Sequence, residues 1–327
     1  MTVRIGCLGA ARIAPAAIVR PAREVAGAEL VAVAARSATR AREFASKHHI
    51  PKVHDSYDAL VDDPDIDAVY IPLPNGLHGR WTIRAIRAGK HVLCEKPFTA
   101  NAAEAEEVAA AAAGTGLVVM EAFHWRYHPL AERMLELIRS GELGGMRHVQ
   151  TAMCFPLLSS QDIRWQPQLA GGALMDAGCY AVHMARTLAG TEPEVVAARA
   201  RLRRPGIDRY VQANLRFPDG TTGRITTSMW SGRVLDISAR VDCESGTVSA
   251  FNPAAPQHFN LLTIRTGSRT QRTRVRGQST YHYQLEAFVD AVENGKPVLT
   301  GLDDAIANMR VIDAIYRAAG MEPRLPS

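Results

Sequence analysis

Lysine is the residue this 327-residue chain uses most sparingly among its cations. Lys47, Lys52, Lys90, Lys96 and Lys296 are the only ones, and arginine supplies the rest of the 38 basic side chains. A compact ammonium kept at one special position is therefore informative, because lysine is pKa-tunable where arginine is not. Cysteine is also scarce and unpaired in pattern: Cys7, Cys94, Cys154, Cys179 and Cys243 are scattered, odd in number and never spaced C-x-x-C. That excludes a disulfide framework and a cysteine metal knuckle, and it fits a reducing cytoplasm. No window approaches the ~18 uninterrupted apolar residues of a membrane span. No charged-then-apolar leader opens the chain, so neither membrane insertion nor a signal peptide is expected. Acidic excess is absent, and the net charge of +5 is spread along the chain. Such a balance does not argue for a nucleic-acid partner. Repeats and low-complexity tails are lacking too, apart from an alanine-rich stretch at 102–113.

Apolar content, charge fraction and Gly and Pro counts are those of a globular protein, and the length predicts about two domains. The first third alternates strand and helix. Val3–Leu8 reads as a buried strand that enters the small-residue turn Gly9-Ala10-Ala11-Arg12-Ile13-Ala14 and then a helix. That is the opening of a dinucleotide-binding unit, although the G-x-G-x-x-G frame keeps only its first glycine and puts Ala11 and Ala14 at the others. Strands follow at Leu30–Ala35, Ala68–Ile71, His91–Cys94 and Leu117–Met120, with helices at 38–47, 57–61, 78–88 and 102–113 between them. Asn101 and Glu104 form a capping box for the last of these helices. This rhythm predicts a parallel, doubly wound sheet.

After about residue 123 the pattern changes. Pro129 opens a helix to Ser140, and a second helix runs from Ala173 to Leu188, ended by Gly190. Strand-like runs fall at 147–155, 194–202, 211–217, 222–229, 234–242, 247–251, 259–265 and 272–276. They predict a second domain built on a mostly antiparallel sheet, closed by helices at 283–293 and 302–319. Arg272, Arg274 and Arg276 alternate along the last strand as its solvated face.

The centre of the chain is His91-Val92-Leu93-Cys94-Glu95-Lys96-Pro97. In an open parallel sheet, ligands bind just beyond the carboxyl ends of the strands, so Glu95 and Lys96 are delivered where cofactor and substrate meet. Asn75 and His78, after Pro72-Leu73-Pro74, end a neighbouring strand. They serve equally well as cofactor contacts or as helix-cap residues. An NAD-selecting fold places an acid about 20 residues past the glycines. Here that place reads Ala34-Ala35-Arg36-Ser37-Ala38-Thr39-Arg40, with no acid before Glu43. Arg36 and Arg40 are four apart at a helix start and predict preference for NADP, the bland alternative being two solvated helix residues.

In the second half, Asp176 and Tyr180 lie four apart on one helical face, with His183 a turn further. A phenol is a poor base at its usual pKa of about 10, but a nearby ammonium stabilises the phenolate. A Lys96–Tyr180 pair could take up an alcohol proton while hydride leaves the same carbon. The same spacing also suits a core tyrosine beside a solvated aspartate. The aromatic run Phe123–His128 serves as a pocket wall or as a packed junction. His124 and His128 have metal-ligand spacing without a third ligand, so no metal is expected.

Taken together, Gly6 and Gly9, Pro74-Asn75 with His78, Glu95-Lys96-Pro97, and Gly172-Ala173-Leu174 through Asp176, Gly178 and Tyr180 resemble the Gfo/Idh/MocA oxidoreductases. Tyr180, the Arg36-x-x-x-Arg40 pair, Asp162-Ile163-Arg164 and the aromatics around Trp125 are similar to the dihydrodiol and xylose or glucose dehydrogenase branch. The resemblance implies an α/β protein: a Rossmann domain over 1–123, with helix 302–320 packing back on it, and a substrate-binding and oligomerisation domain over 124–301 with a large, mostly antiparallel open sheet. It implies catalysis by Lys96, Tyr180 and Asp176. It places Gly9, Ala11, Arg12 and Ile13 near the cofactor, with Arg36, Ser37 and Arg40, and with Pro72, Asn75, His78, Glu95 and Lys96. Trp125, Phe155, Arg164 and Trp165 would join Asp176 and Tyr180 around the substrate. The expected activity is NADP-dependent (NAD as second choice) hydride transfer to or from a CH–OH group of a sugar, polyol or cyclic vicinal diol, in a homodimer or homotetramer without nucleic-acid or membrane partners. Two other readings from the same family are a glycosidase that recycles its nicotinamide and a non-catalytic sugar or cofactor sensor.

Overall fold

The protein, seen here as a computed structural model, is described for residues 2–232 and 234–327. These form two compact units. The first gathers the chain up to His124 with Tyr281–Ile306, and the second gathers Trp125–Thr280 with Ala307–Leu325.

In the first unit the order is β1 (Val3–Leu8), α1 (Pro21–Glu24), β2 (Ala28–Ala34), α2 (Ala38–His48), β3 (Lys52–His54), α3 (Tyr57–Val61), β4 (Ala68–Ile71), α4 (His78–Arg87), β5 (His91–Cys94), α5 (Ala102–Ala112) and β6 (Val119–Glu121). The strands pair in parallel in the order β3-β2-β1-β4-β5-β6. Reversal of strand order between β1 and β4 opens the crevice in which such sheets bind nucleotides. Ile5, Cys7, Leu8, Val33, Val69, Ile71, Val92 and Leu93 are all buried, as expected of strands covered on both faces. Two local features differ from the sequence reading. The stretch after the glycine turn is a π-type turn over Pro15–Val19 followed by the four-residue α1, because Pro15 and Pro21 break the ladder of backbone donors. The short strand β3, unread in the sequence, pairs with Ala32–Ala34. Three residues carry too little alternation to be seen as a strand.

The second unit contains α6 (Pro129–Arg139), β7 (Met146–Cys154), α7 (Cys179–Ala189), β8 (Glu194–Arg204), β9 (Ile207–Arg216), β10 (Thr222–Ser228), β11 (Asp236–Cys243), β12 (Gly246–Phe251), β13 (Leu261–Thr266) and β14 (Arg269–Thr273). Their sheet runs β14-β13-β12-β11-β7-β10-β9-β8 and is antiparallel except where β10 meets β7. Val211, Ala213 and Leu215 point inward between exposed Asn214 and Arg216, the alternation of a sheet covered on one face. Helix α7 lies on that inner face, where Thr151 donates its hydroxyl to Ala181 O at 2.7 Å. The last strand ends at Thr273, earlier than the arginine alternation implied. Arg274 leaves it to stack its guanidinium 4.8 Å over the Phe259 ring, so the three arginines are not one strand face.

Helix α8 (Thr280–Asn294) groups almost wholly with the first unit. Only the first turn of α9 (Leu302–Ala318) does so. From residue 307 its polar side chains serve the second unit: Asn308 bonds Arg186, and Tyr316 bonds Asp208. No described helix is long and apolar enough to cross a membrane.

Candidate active site

In the first unit the groups of interest stand at the carboxyl ends of β1, β2, β4 and β5. Gly9 turns the chain out of β1 at φ 122°, with its N–H donated to Ala34 O at 2.8 Å. An L-residue resists that conformation, so the first glycine of the frame is needed. Ala11 and Ala14 are absent from the positive-φ positions, and a turn bond from Ala14 N to Ala11 O holds them. Alanine therefore suffices at both. Arg12 and Ile13 are exposed on the rim of this corner. Ser37 caps α2 by accepting Arg40 N–H, and the Arg40 guanidinium donates to Ala10 O at 3.2 Å, tying the α2 start to the glycine corner. Tyr57, which the sequence reading passed over, belongs here. Its hydroxyl lies 4.0 Å from where a Cβ on Gly9 would sit, and its phenol feels both Arg36 and Arg40. Burial raises its pKa, and the two guanidinium groups oppose that rise.

At the end of β5, the Glu95 N–H donates to Ile71 O and its carboxylate accepts the Tyr70 hydroxyl at 2.8 Å. Burial raises the Glu95 pKa, and the adjoining Lys96 ammonium and the Tyr70 hydroxyl pull it back. Glu95 is thus an interior group beneath Lys96, which is itself half-buried at the strand end. His78 is 1% exposed, and its two ring nitrogens each lie 2.7 Å from a carbonyl oxygen, of Pro97 and of Leu73. Burial outweighs those carbonyls and, with the Lys96 charge, holds the imidazole down to about 4. This side chain spans the Pro72–Pro74 loop and the Lys96–Pro97 loop, and as a neutral ring it donates to one of the two carbonyls. Asn75 begins the short turn that follows Pro74. His124 stacks 4.1 Å from the Tyr281 ring, and burial, reinforced by Lys96, lowers its pKa to about 3. Tyr281 is a second group that local reading could not find. It enters from α8, and the Glu95 charge adds to burial in raising its pKa.

In the second unit, Leu174–Gly178 forms a π-type turn that passes into α7. The wider i→i+5 turn is a form often found at functional sites, and it carries Asp176, half-buried, and Tyr180, 5% exposed. Gly178 is required by packing, since a Cβ there would meet Leu174 Cδ1 at 2.7 Å and Thr227 Cγ2 at 2.9 Å. His183, a turn beyond, accepts the Trp125 indole N–H at Nδ1 (3.0 Å). An indole only donates, so that nitrogen carries no proton. Trp125 and Trp165 are each 1% exposed. Trp165 donates to Ser159 O and lies 4.5 Å beneath the Arg203 guanidinium, which makes it an anchor of its loop. Arg164 forms a two-pronged pair with Asp162, each bond 2.9 Å, and also feels the Asp176 charge. Phe155 is half-buried just past β7, its N–H on Ser228 O. His128 caps α6 through Leu130 N–H, while His124 turns to Tyr281. Among the described residues no group of three or more His, Cys, Asp or Glu side chains could hold a metal.

A family model described as an oxidoreductase family with an NAD-binding Rossmann fold matches residues 3–123. A second, the GFO/IDH/MocA C-terminal domain, matches residues 131–249. D-xylose 1-dehydrogenase (NADP(+)) 2 of Haloferax volcanii is 39% identical over 318 residues, 96% of this chain and 96% of that one. Trans-1,2-dihydrobenzene-1,2-diol dehydrogenase of Bos taurus is 38% identical over 202 residues, 62% of this chain and 60% of that one. Among solved structures, KijD10, a 3-ketoreductase from Actinomadura kijaniata in complex with NADP and TDP-benzene, superposes with a TM-score of 0.90 at 28% identity, covering 97% of this chain and 98% of that one. The chain belongs to the Gfo/Idh/MocA family of oxidoreductases.

Proposed function

We propose that the protein is an NADP-dependent dehydrogenase acting on a CH–OH group of a sugar, polyol or cyclic vicinal diol, or running the same step in reverse on the matching ketone. The observation that carries this reading is the end of β5, where a half-buried lysine stands on a buried carboxylate at the ligand-binding edge of a parallel sheet. The donor set fits a phosphorylated dinucleotide: the Gly9 corner has no Cβ, and Arg36, Ser37, Arg40 and the Tyr57 hydroxyl gather beside it with no carboxylate at the β2 end. Guanidinium groups suit the 2′-phosphate, and an acid would suit a bare ribose. NADP held there would supply the two-electron acceptor for the hydride.

Lys96 and Tyr180 act on the substrate hydroxyl. Tyr180 accepts the hydroxyl proton as the C–H hydrogen departs with its electron pair, and a carbonyl remains. Asp176 orients the same hydroxyl or its neighbour. Arg164 and Phe155 shape the substrate side, while Trp125 and Trp165 are buried. The protein works in the cytoplasm, in keeping with five free cysteines, four of them buried. It assembles as a homodimer or homotetramer through the eight-stranded sheet, which light scattering on purified protein tests. The activity test is NADPH formation from D-xylose, D-glucose and a trans-dihydrodiol, with NAD in parallel. Net NADPH production on an unmodified sugar supports the dehydrogenase over a cofactor-recycling glycosidase. Tight NADP binding without turnover across the whole panel overturns the reading in favour of a sensor.

A further inference from the structure

The turn that carries Asp176 and Tyr180 begins at a glycine pair whose shape is imposed from far away in sequence. Gly172 adopts φ 130°, and a Cβ there would run into Asp208 Oδ1 and lie 2.8 Å from an Arg324 nitrogen. Asp208, on β9, is fully buried. Its Oδ2 accepts the N–H of Leu174, the first residue of the π-type turn, at 2.7 Å. Its Oδ1 accepts from Arg324 at 2.5 Å and from the Tyr316 hydroxyl at 3.1 Å. Arg324, 7% exposed, comes from the segment after α9. It donates from Nε to Gly171 O at 2.9 Å and from Nη1 to Gly206 O at 2.6 Å, with its guanidinium 4.4 Å over the Tyr316 ring. The same corner is tied to the Asp162–Arg164 segment, because Gly172 N–H donates to Arg164 O at 2.9 Å. Asp176 N–H in turn donates to Gly172 O at 3.0 Å.

A buried ion pair adds little net stability over an apolar filling of the same space, because desolvating two charges costs about what their attraction returns. What such a pair can supply is one geometry. Here both charges converge on the two peptide groups that set the start and the direction of the Asp176–Tyr180 turn. We propose that Asp208 and Arg324 are positioning residues for the reaction, holding Asp176 and Tyr180 in register through the Gly171–Gly172 corner. This rests on the assignment of those two residues to the active site. The last few residues of the chain would then be part of the catalytic apparatus without touching substrate.

Misplacing a reacting group by about 1 Å can cost roughly 100-fold in rate. Asp208→Asn keeps an acceptor for Leu174 N–H and removes the charge. Arg324→Lys keeps the charge and removes the fork. With the sugar of the panel that gives the fastest turnover, Asp208→Asn and Arg324→Ala are expected to lower kcat about 10- to 100-fold, and Arg324→Lys to recover part of that loss. NADPH affinity, read by fluorescence titration, stays within about twofold, because the binding corner belongs to the other unit. Amide exchange over 172–180 rises in both variants while circular dichroism reports a folded protein at the assay temperature. If both variants keep wild-type kcat, pH profile and exchange while Tyr180→Phe is inactive, the positioning role is overturned and the pair is structural only. If Tyr180→Phe itself turns over normally, the active-site assignment fails, and the positioning role fails with it.

Discussion

The two candidate site segments of this molecule, the β5 end and the Asp176–Tyr180 turn, are held in different ways. The β5 end in the first unit is fixed first by backbone: Glu95 N–H and Cys94 O sit in the parallel ladder, bonded to Ile71 O and Ala122 N–H, with the Tyr70 and His78 side chains added to that frame. The Asp176–Tyr180 turn in the second unit is fixed by side chains from distant elements: Asp208 on β9, Thr227 on β10, and Arg324 beyond α9. A strand end tolerates neighbours of many kinds, because the ladder needs only backbone groups. A π-type turn has no such template and depends on the particular carboxylate, hydroxyl and guanidinium that meet its peptide groups. The first end should therefore break through its chemistry and the second through its packing as well.

The largest expected effect tests the chemistry on both sides. Lys96→Ala and Tyr180→Phe should each lower kcat by roughly 10²–10⁴, the usual contribution of a general acid–base group. NADPH affinity in Tyr180→Phe should be unchanged by titration. Near-normal turnover in either variant would remove that residue from the proposed mechanism. Next in size is the nucleotide corner. Removing Arg36 or Arg40 should weaken NADP binding about 10- to 100-fold, the cost of one charge-assisted hydrogen bond of roughly 1.5–3 kcal/mol. NAD binding should hardly move, and equal losses for both nucleotides would show that these arginines do not read the 2′-phosphate.

Smaller still, and confined to the packed side, Gly178→Ala should destabilise by about 1–3 kcal/mol through overpacking against Leu174 and Thr227. Denaturant melts would measure it, and a neutral result would mean the turn is softer than its contacts imply. An effect of similar size, visible only through its pH dependence, concerns the backbone-held side. Glu104 accepts Ala100 N–H beside the β5 loop, and burial raises its pKa to about 7. Its folded-state pKa lies above the ordinary carboxyl value, so the protonated form favours the fold. The stability this contributes is present below about pH 4.5 and fades as pH rises through about 7. Glu104→Gln should raise the melting midpoint at pH 8 and leave it nearly unchanged at pH 4.5. A difference independent of pH would place the effect elsewhere.

Much of the first unit was legible because its signals are local. A strand into Gly9, the Asn101 cap, and the apolar run before Glu95 each predict their own conformation, and a parallel sheet follows from their alternation. The proline-interrupted stretch at 15–21 and the three-residue β3 escaped because neither fills a helical or strand period. His78 could be read either way from spacing, and only the tertiary structure shows the two loop carbonyls that face its ring. In the second unit the strands were legible to within a few residues, but the role of Trp125 was not. Spacing cannot show that its indole N–H is committed to His183.

By itself, then, the sequence determined the parallel nucleotide-binding sheet, the lysine at the end of its fifth strand, the arginines where an acid would select NAD, and the family. Periodicity, caps and turn residues act over a few positions and carry their own physics. Tertiary structure alone decided that Tyr57 joins the nucleotide corner, that Tyr281 stacks on His124 within reach of the Glu95 charge, and that Asp208 and Arg324 pin the turn bearing Tyr180. Those are pairings of charge and hydrogen-bonding capacity between residues tens to hundreds of positions apart. Their energies come from burial, which no stretch of sequence specifies until the chain has closed around it.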